Sequence, residues 1–325
     1  MNLFPKYRVI VIGLGRIGCT YDLHDYTDTL VMTHAKSCST HQSFELVAGV
    51  DPSTSNKTTF HARYKVPTFS SLEEVPTSLS YDVAIVCCPT QRHTATIEFL
   101  LRLSRKPRLI LCEKPISFQL SEIEAINTLS IDSGVPILVN YIRRALPENL
   151  EIANEIESRK IKLPVNGFFW YSSGLLNSAS HMIDLCQFWF GPLQSIECIF
   201  KRHNSADYTS DFRVYCAQAE ITFLYSHYAH PFELTGMILS PTGLLKYERC
   251  GEFIAWHDLV PDPHGNGYSE PSRLPRLFST NLSVYQHYVL NEIQSFLETG
   301  SSMLPLVSDL IPMHRLLNNC ITRSN

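Results

Sequence analysis

No stretch of this chain is both long and apolar enough to cross a bilayer as a helix. Its apolar runs are strand-sized, such as VIVIG at 9–13 and VAIVCC at 83–88. The opening MNLFPKYRVIVIG also lacks the charged segment, apolar core and small-residue cleavage site of a secretory signal. An excess of charge of one sign is missing too. Lys and Arg number 27 against 31 Asp and Glu, a formal charge of −4, so no basic footprint marks a nucleic-acid or anionic-membrane partner. None of the ten cysteines forms a CxxC pair, and several lie inside apolar runs (Cys87, Cys88, Cys198). They read as reduced core thiols of a cytoplasmic protein. No His/Cys/Asp cluster has metal-ligand spacing, so no metal is expected. The GxSxG elbow of serine hydrolases, internal repeats and low-complexity tracts are likewise absent.

What remains is a globular composition, 44% apolar and 18% charged, over 325 residues, enough for two domains with separate cores. Through residue 143, short apolar runs alternate with longer amphipathic ones. Strands are predicted at 8–12, 44–50, 66–69, 82–87, 108–112 and 136–140, with helices between most of them, including 93–103 and 119–133. Val, Ile and Leu dominate these runs, as in a parallel sheet covered on both faces. Repeated strand–helix–strand units predict a doubly wound α/β fold. The pattern changes after Arg144. A helix at 147–159 leads into a strand at 165–171, and 177–190 is helical again. Alternation at Phe212, Val214 and Cys216, continued at Ile221, Phe223 and Tyr225, predicts a large, mostly antiparallel open sheet reaching about residue 257. The Pro- and Gly-rich 261–276 reads as a long loop, and helices near 281–298 and 308–320 close the chain. The expected division is therefore a dinucleotide-binding Rossmann domain, 1–143, and an α+β domain for substrate and oligomerisation, 144–325.

The strand at 8–12 runs into Gly13-Leu14-Gly15-Arg16-Ile17-Gly18, a GxGxxG turn in the place that dinucleotide binding requires. Asp51 ends the next long strand, placed to accept hydrogen bonds from the adenosine ribose. A carboxylate there repels a 2′-phosphate, so NAD is favoured over NADP. Asp51 follows Gly18 by 33 residues, a longer interval than usual. The excess is an insertion before a helix at 34–39. Its Tyr21, Asp22, His24, Asp25 and Tyr26 form either a lid over the substrate or a solvated loop with aromatic anchors. Two further strands end in Pro89-Thr90-Gln91-Arg92-His93 and in Glu113-Lys114-Pro115, on the same sheet edge as the glycine loop. In 177–190, Asn177, His181 and Asp184 are spaced i, i+4, i+7 and fall within about 60° on an α-helix.

VIGLGRIG, AGVDPS, CCPTQRH, CEKPIS, VNYIRRALP and GLLNSASHMIDLCQFWFG occur in the order found in the Gfo/Idh/MocA oxidoreductases, and the chain resembles that family over most of its length. Glucose–fructose oxidoreductase and inositol dehydrogenase are among its members. The resemblance implies that Lys114 is the active-site lysine, stabilising a developing alkoxide, and that His181 takes the hydroxyl proton. Asp184 then orients that ring or the substrate. Gly13, Gly15, Arg16, Ile17, Gly18, Asp51, Pro89, Thr90, His93, Glu113 and Lys114 would line the cofactor; Tyr141, Arg143, Asn177 and His181 would join Lys114 at the substrate. Arg143 or Arg144 can equally form an ion pair bridging the domains. Asn177 stands where cyclitol-oxidising members usually carry Asp. This puts a proton relay through the position in doubt and tilts the expected substrate toward a nucleotide sugar. A free sugar or cyclitol is the nearest alternative, and the others are glycoside cleavage with retained NAD and a non-catalytic NAD- or sugar-binding regulator. By resemblance alone a homodimer or homotetramer is expected. His227 and His230 read as structural.

Overall fold

The computed structural model describes residues 6–27, 29–202, 209–226 and 234–322, so His227 and His230 lie outside the described residues. The chain forms two compact units, Met1–Ala145 with Ser283–Ile311, and Leu146–Leu282 with Pro312–Asn325.

In the first unit β1 (Tyr7–Ile12) is followed by α1 (His34–Thr40), β2 (Phe44–Val50), α2 (Thr54–Tyr64), β3 (Thr68–Phe69) and β4 (Val83–Val86). After these come α3 (His93–Arg102), β5 (Leu109–Cys112), α4 (Leu120–Ser133) and β6 (Ile137–Val139). The six strands pair in parallel in the order β3-β2-β1-β4-β5-β6. Val9, Val11, Val83, Ile85, Leu109 and Leu111 alternate on one face and are fully buried. Ile10, Ala84 and Ile110, on the other face, are equally buried. A sheet covered on both sides needs apolar residues at every position, which is why these strands read as unbroken hydrophobic runs. The order reverses between β1 and β4, and in such sheets ligands bind outside the strand ends at that switch point.

The second unit opens with α5 (Pro147–Glu157), β7 (Val165–Tyr171) and α6 (Ser180–Phe190). Strands follow as β8 (Leu193–Arg202), β9 (Thr209–Cys216), β10 (Ala219–Tyr225), β11 (Thr235–Ser240), β12 (Gly243–Glu248), β13 (Phe253–Pro261), β14 (Ser269–Pro271) and β15 (Arg276–Phe278). They form a nine-stranded sheet, β14-β13-β12-β11-β7-β10-β9-β8 with β15 also on β13. Among the described residues, only the β7–β10 pair is parallel. Alternation decides its inner face: Phe212, Val214, Ile221 and Phe223 are fully buried, and the Phe212 and Phe223 rings stack 4.8 Å apart. Met182, Leu185 and Trp189 of α6 are buried as well, and the Trp189 indole donates to the Asn149 carbonyl at 3.0 Å.

Two expectations change. The segment read as one loop at 261–276 contains β14 and leads into β15, both held on β13, because the turn near Gly265 and Gly267 (φ +72° and +79°) folds the chain back against its own strand. The closing helix α7 (Tyr285–Thr299) belongs to the first unit rather than the second. Its Val289, Leu290 and Ile293 share a core with β-strand residues Val9 and Leu111. The last helix, α8 (Val307–Thr322), carries Pro312 inside it.

Candidate functional site

Between β1 and α1 the glycine loop makes its turn at Gly13, whose φ of +99° suits glycine. A Cβ there would meet the Cys88 backbone nitrogen at 2.4 Å, so the β1 and β4 ends could not sit this close with any other residue. At Gly15 an added Cβ meets nothing within 4 Å, which leaves the middle of the turn open to an approaching ligand. The residues after it form a five-residue π-helical segment, Arg16–Thr20, rather than the start of a long α-helix. Arg16 is exposed and its guanidinium lies 4.6 Å from the Tyr21 ring centroid.

Asp51 is buried at the end of β2. Its carboxylate accepts from the Leu14 amide at 2.8 Å, the Ser53 amide at 2.8 Å and Asn56 Nδ2 at 3.2 Å. An ionised carboxylate has about four acceptor positions, so about one stays available for a ribose hydroxyl. The same side chain thus ties the glycine loop to the start of α2. These features together fit a dinucleotide: an open glycine turn, an acid at the next strand end, and a sheet switch point beside both.

The segments after β4 and β5 meet in this unit through His93. Its Nδ1 lies 3.1 Å from the Pro115 carbonyl and its Nε2 2.8 Å from the Cys88 carbonyl. The ring is buried, and burial pushes its pKa below the usual histidine value against the pull of those carbonyls and of Glu113. The neutral ring carries one N–H, so it donates to one of these carbonyls and packs against the other, sitting between the two loops. Pro89 caps the short 3₁₀ turn Thr90–Arg92 that precedes α3, and Thr90 is half-buried. Cys87 and Cys112, at the ends of β4 and β5, are buried, and burial holds both thiols well above their usual pKa. They stay protonated, which removes them as nucleophiles.

Glu113 and Lys114 follow β5 directly. The Glu113 amide donates to the Val86 carbonyl at 2.9 Å, and Glu113 Oε1 lies 2.7 Å from His34 Nε2 and 2.7 Å from Asn140 Nδ2. Lys114 is half-buried; Tyr141 and Arg143, just beyond β6, are buried. His34 and Asn140 are two site residues that the sequence did not single out. Asn140 carried a usable signal, because it ends β6 on the edge where Glu113 ends β5. His34 carried none, since only tertiary packing brings it to Glu113.

The described residues of the insertion are held by hydrogen bonds within the first unit, while its tip residues Tyr21, His24 and Tyr26 are exposed. Asp22, 3% exposed, accepts from the Met32 amide at 2.7 Å, the Thr33 amide at 2.9 Å and Thr33 Oγ1 at 2.8 Å. Buried Lys36 reaches Asp25 Oδ2 at 2.7 Å and the Thr27 carbonyl at 2.5 Å. The Val31 amide donates to Ser283 O at 2.7 Å and the Tyr285 hydroxyl to Met32 O at 2.8 Å. His24 and Tyr26 are exposed, and the Arg63 guanidinium covers the Tyr26 ring at 4.7 Å.

In the second unit, the residues expected on one uniform helix divide at a change of helix type. Leu175–Ala179 is π-helical and α6 begins at Ser180, so side chains follow 3.6 residues per turn only from Ser180 onward. Asn177, in the π turn, is exposed and its Nδ2 donates to Ser173 O at 3.3 Å. His181 is half-buried. Asp184, one turn further, is fully buried and accepts from Gln187 Nε2 at 3.2 Å. Among the described residues, no group of three or more His, Cys, Asp or Glu could hold a metal ion, and no helix is long and apolar enough to cross a membrane.

Known proteins agree with this architecture. The chain is 26% identical over 156 residues, 47% of its length, to the inositol 2-dehydrogenase of Rhizobium meliloti (strain 1021). That match spans 42% of the relative, less than half of it. A dehydrogenase from Chromobacterium violaceum superposes with a TM-score of 0.77 at 16% identity, covering 98% of this chain and 95% of the other. The WlbA dehydrogenase from Bordetella pertussis, solved with NADH and UDP-GlcNAcA, superposes with a TM-score of 0.73 at 17% identity, covering 98% and 95%. At such identities the superpositions establish the fold. Residues 7–141 match the model of the Gfo/Idh/MocA oxidoreductase family, described by its NAD-binding Rossmann fold, so this part of the chain is similar to that family.

Proposed function

We propose that this protein is an NAD-dependent oxidoreductase that interconverts a secondary hydroxyl and a ketone on a sugar, with a nucleotide sugar as the substrate class. The observation that carries this is the pairing, at one sheet edge, of an open glycine turn and Asp51 with the Glu113-Lys114 segment after β5. Bound NAD would supply the two-electron acceptor for the hydride. Gly13, Gly15 and Gly18 would let the backbone approach its pyrophosphate, and Asp51 would accept from its adenosine ribose. Lys114 Nζ would donate to the reacting oxygen and stabilise the charge that develops there as the C–H bond breaks. An imidazole nitrogen of His181 would take the hydroxyl proton, and Asp184, one turn along α6, would act on the orientation of that ring. Asn177 offers a donor and an acceptor to a sugar hydroxyl without the charge of an acid. A substrate carrying its own phosphates agrees with that neutrality, and the WlbA complex provides a precedent in the fold.

The test is a panel of nucleotide sugars, free sugars and cyclitols incubated with NAD, followed by absorbance of the reduced nicotinamide. Turnover is expected with a nucleotide sugar. Turnover only with a cyclitol or free sugar would move the substrate class. NAD binding without turnover on any member would replace the enzyme with a non-catalytic binder.

We also propose that the chain self-associates through the second unit's sheet. Trp170 on β7 and Leu239 on β11 are exposed on strands whose alternate residues are buried, and Phe168 pairs across with Met237. Trp170→Glu should shift sedimentation toward monomer. An unchanged oligomer would exclude this face.

A further inference from the structure

We propose that His34 is a positioning residue for Lys114, acting through Glu113; this rests on the function proposed above. The geometry starts in the insertion. Asp22 gathers Met32 and Thr33 into a closed loop, Thr33 caps α1 by accepting from the Lys36 amide, and His34 is the next residue. The loop is pinned from outside by Ser283 and Tyr285. The imidazole, 1% exposed, is thereby delivered onto Glu113 Oε1 at 2.7 Å. Asn140 Nδ2 donates to that same oxygen, and the Asn140 amide donates to the Cys112 carbonyl at 2.8 Å, so the second donor is held by β5 itself.

Because the acceptor is a carboxylate, Nε2 of His34 carries the proton whatever the charge of the ring. The titratable groups facing Glu113 are His34, Lys114, Cys87 and Cys112 at the strand ends, His93 of α3 and Tyr285 of α7. Burial pushes the Glu113 carboxyl up. The hydrogen bond and charge of His34, the Asn140 bond and the Lys114 ammonium outweigh it, and the carboxyl lies below its usual range. A fixed, ionised carboxylate directly before Lys114 in turn favours the ammonium that donates to the reacting oxygen. The insertion is thus a brace reaching from the glycine loop to the catalytic lysine.

The first readout needs neither cofactor nor substrate. In protein labelled with ¹³C at glutamate carboxyls, the Glu113 resonance is identified by its loss in Glu113→Gln, and its titration is followed by NMR. His34→Phe keeps the ring volume and removes the donor. It should move the Glu113 midpoint upward by about one pH unit or more, as desolvation is then opposed only by the Asn140 bond and the Lys114 charge. His34→Gln restores an N–H donor and should return the midpoint most of the way. Asn140→Ala, which removes the second donor, should also raise it should His34→Phe fail to fold. The second readout is turnover on the sugar that the panel identifies. His34→Phe should lower kcat about 10-fold with NAD affinity within about 2-fold, and His34→Gln should recover most of it. An unmoved Glu113 midpoint in folded His34→Phe, or a kcat loss that His34→Gln does not relieve, overturns the assignment. Lys114→Ala with near wild-type turnover would instead remove the proposed function, so the two failures are told apart.

Discussion

Replacing Asp51 separates two duties, the bond it makes to the glycine loop and the one proposed for it at the cofactor ribose. Three of its roughly four acceptor positions are occupied by Leu14, Ser53 and Asn56, leaving about one for the ribose. A hydrogen bond to a charged group is worth about 1.5–3 kcal/mol, so losing the ribose bond should weaken NAD roughly 10- to 100-fold. For NADP the sign reverses. A phosphate charge about 4 Å from the carboxylate is repelled by about 1 kcal/mol in water and about 4 kcal/mol at an effective dielectric constant near 20. Removing the charge should therefore help NADP while harming NAD, and their affinity ratio should close by at least ~10-fold. Asp51→Asn removes the charge and keeps one acceptor oxygen; Asp51→Ser shortens the side chain as well and should also loosen the loop. Fluorescence titration with NADH and NADPH, on protein whose melting temperature is recorded in parallel, gives both affinities. Equal wild-type affinities, or an Asp51→Asn ratio unchanged from wild type, would refute the role assigned to this acid.

Three further outcomes are expected. Lys114→Ala should lower kcat by ~10²-fold or more with NAD affinity intact, and combined with His181→Ala it should lose less than the product of the single effects, because the proposed function assigns both groups to one proton and charge transfer; single-turnover assays on the four proteins decide this. Asp22→Ala strands two backbone amides and a hydroxyl of a closed loop, so stability should fall by about 2–4 kcal/mol in denaturant titration and the Met32 and Thr33 amides should exchange faster. His314 on α8 is buried and its pKa is pushed down to about 4 by desolvation. Its folded-state pKa lies below the unfolded value of about 6.5, so the neutral ring costs nothing above that pH, and stability falls as pH drops from there toward 4, by up to roughly 3 kcal/mol. His314→Leu should flatten that part of the stability profile, and an identical slope would reject the cause.

What could be read from residues alone was whatever depends on local pattern. The parallel strands announced themselves because burial on both faces demands continuous apolar runs, and 44–50 and 165–171 coincide with β2 and β7 to the residue. The second sheet was legible for the opposite reason: one buried face imposes a period of two at Phe212, Val214 and Cys216. Glycine spacing, the strand-end acid and the Glu113-Lys114 step are likewise short-range features, each placed by the strand it follows. The tertiary structure decided what depends on residues far apart in the chain. It returned α7 to the first unit, because the apolar stripe of an amphipathic helix states that it must be buried but not against which core. It changed the helix type at Asn177, a matter of how one turn closes rather than of side-chain pattern. It also turned a polar, aromatic insertion into a brace. Asp22 could have faced water or backbone with equal ease on paper, and only the folded loop, closed on Thr33 and pinned by Tyr285, carries His34 across 79 positions of sequence to Glu113.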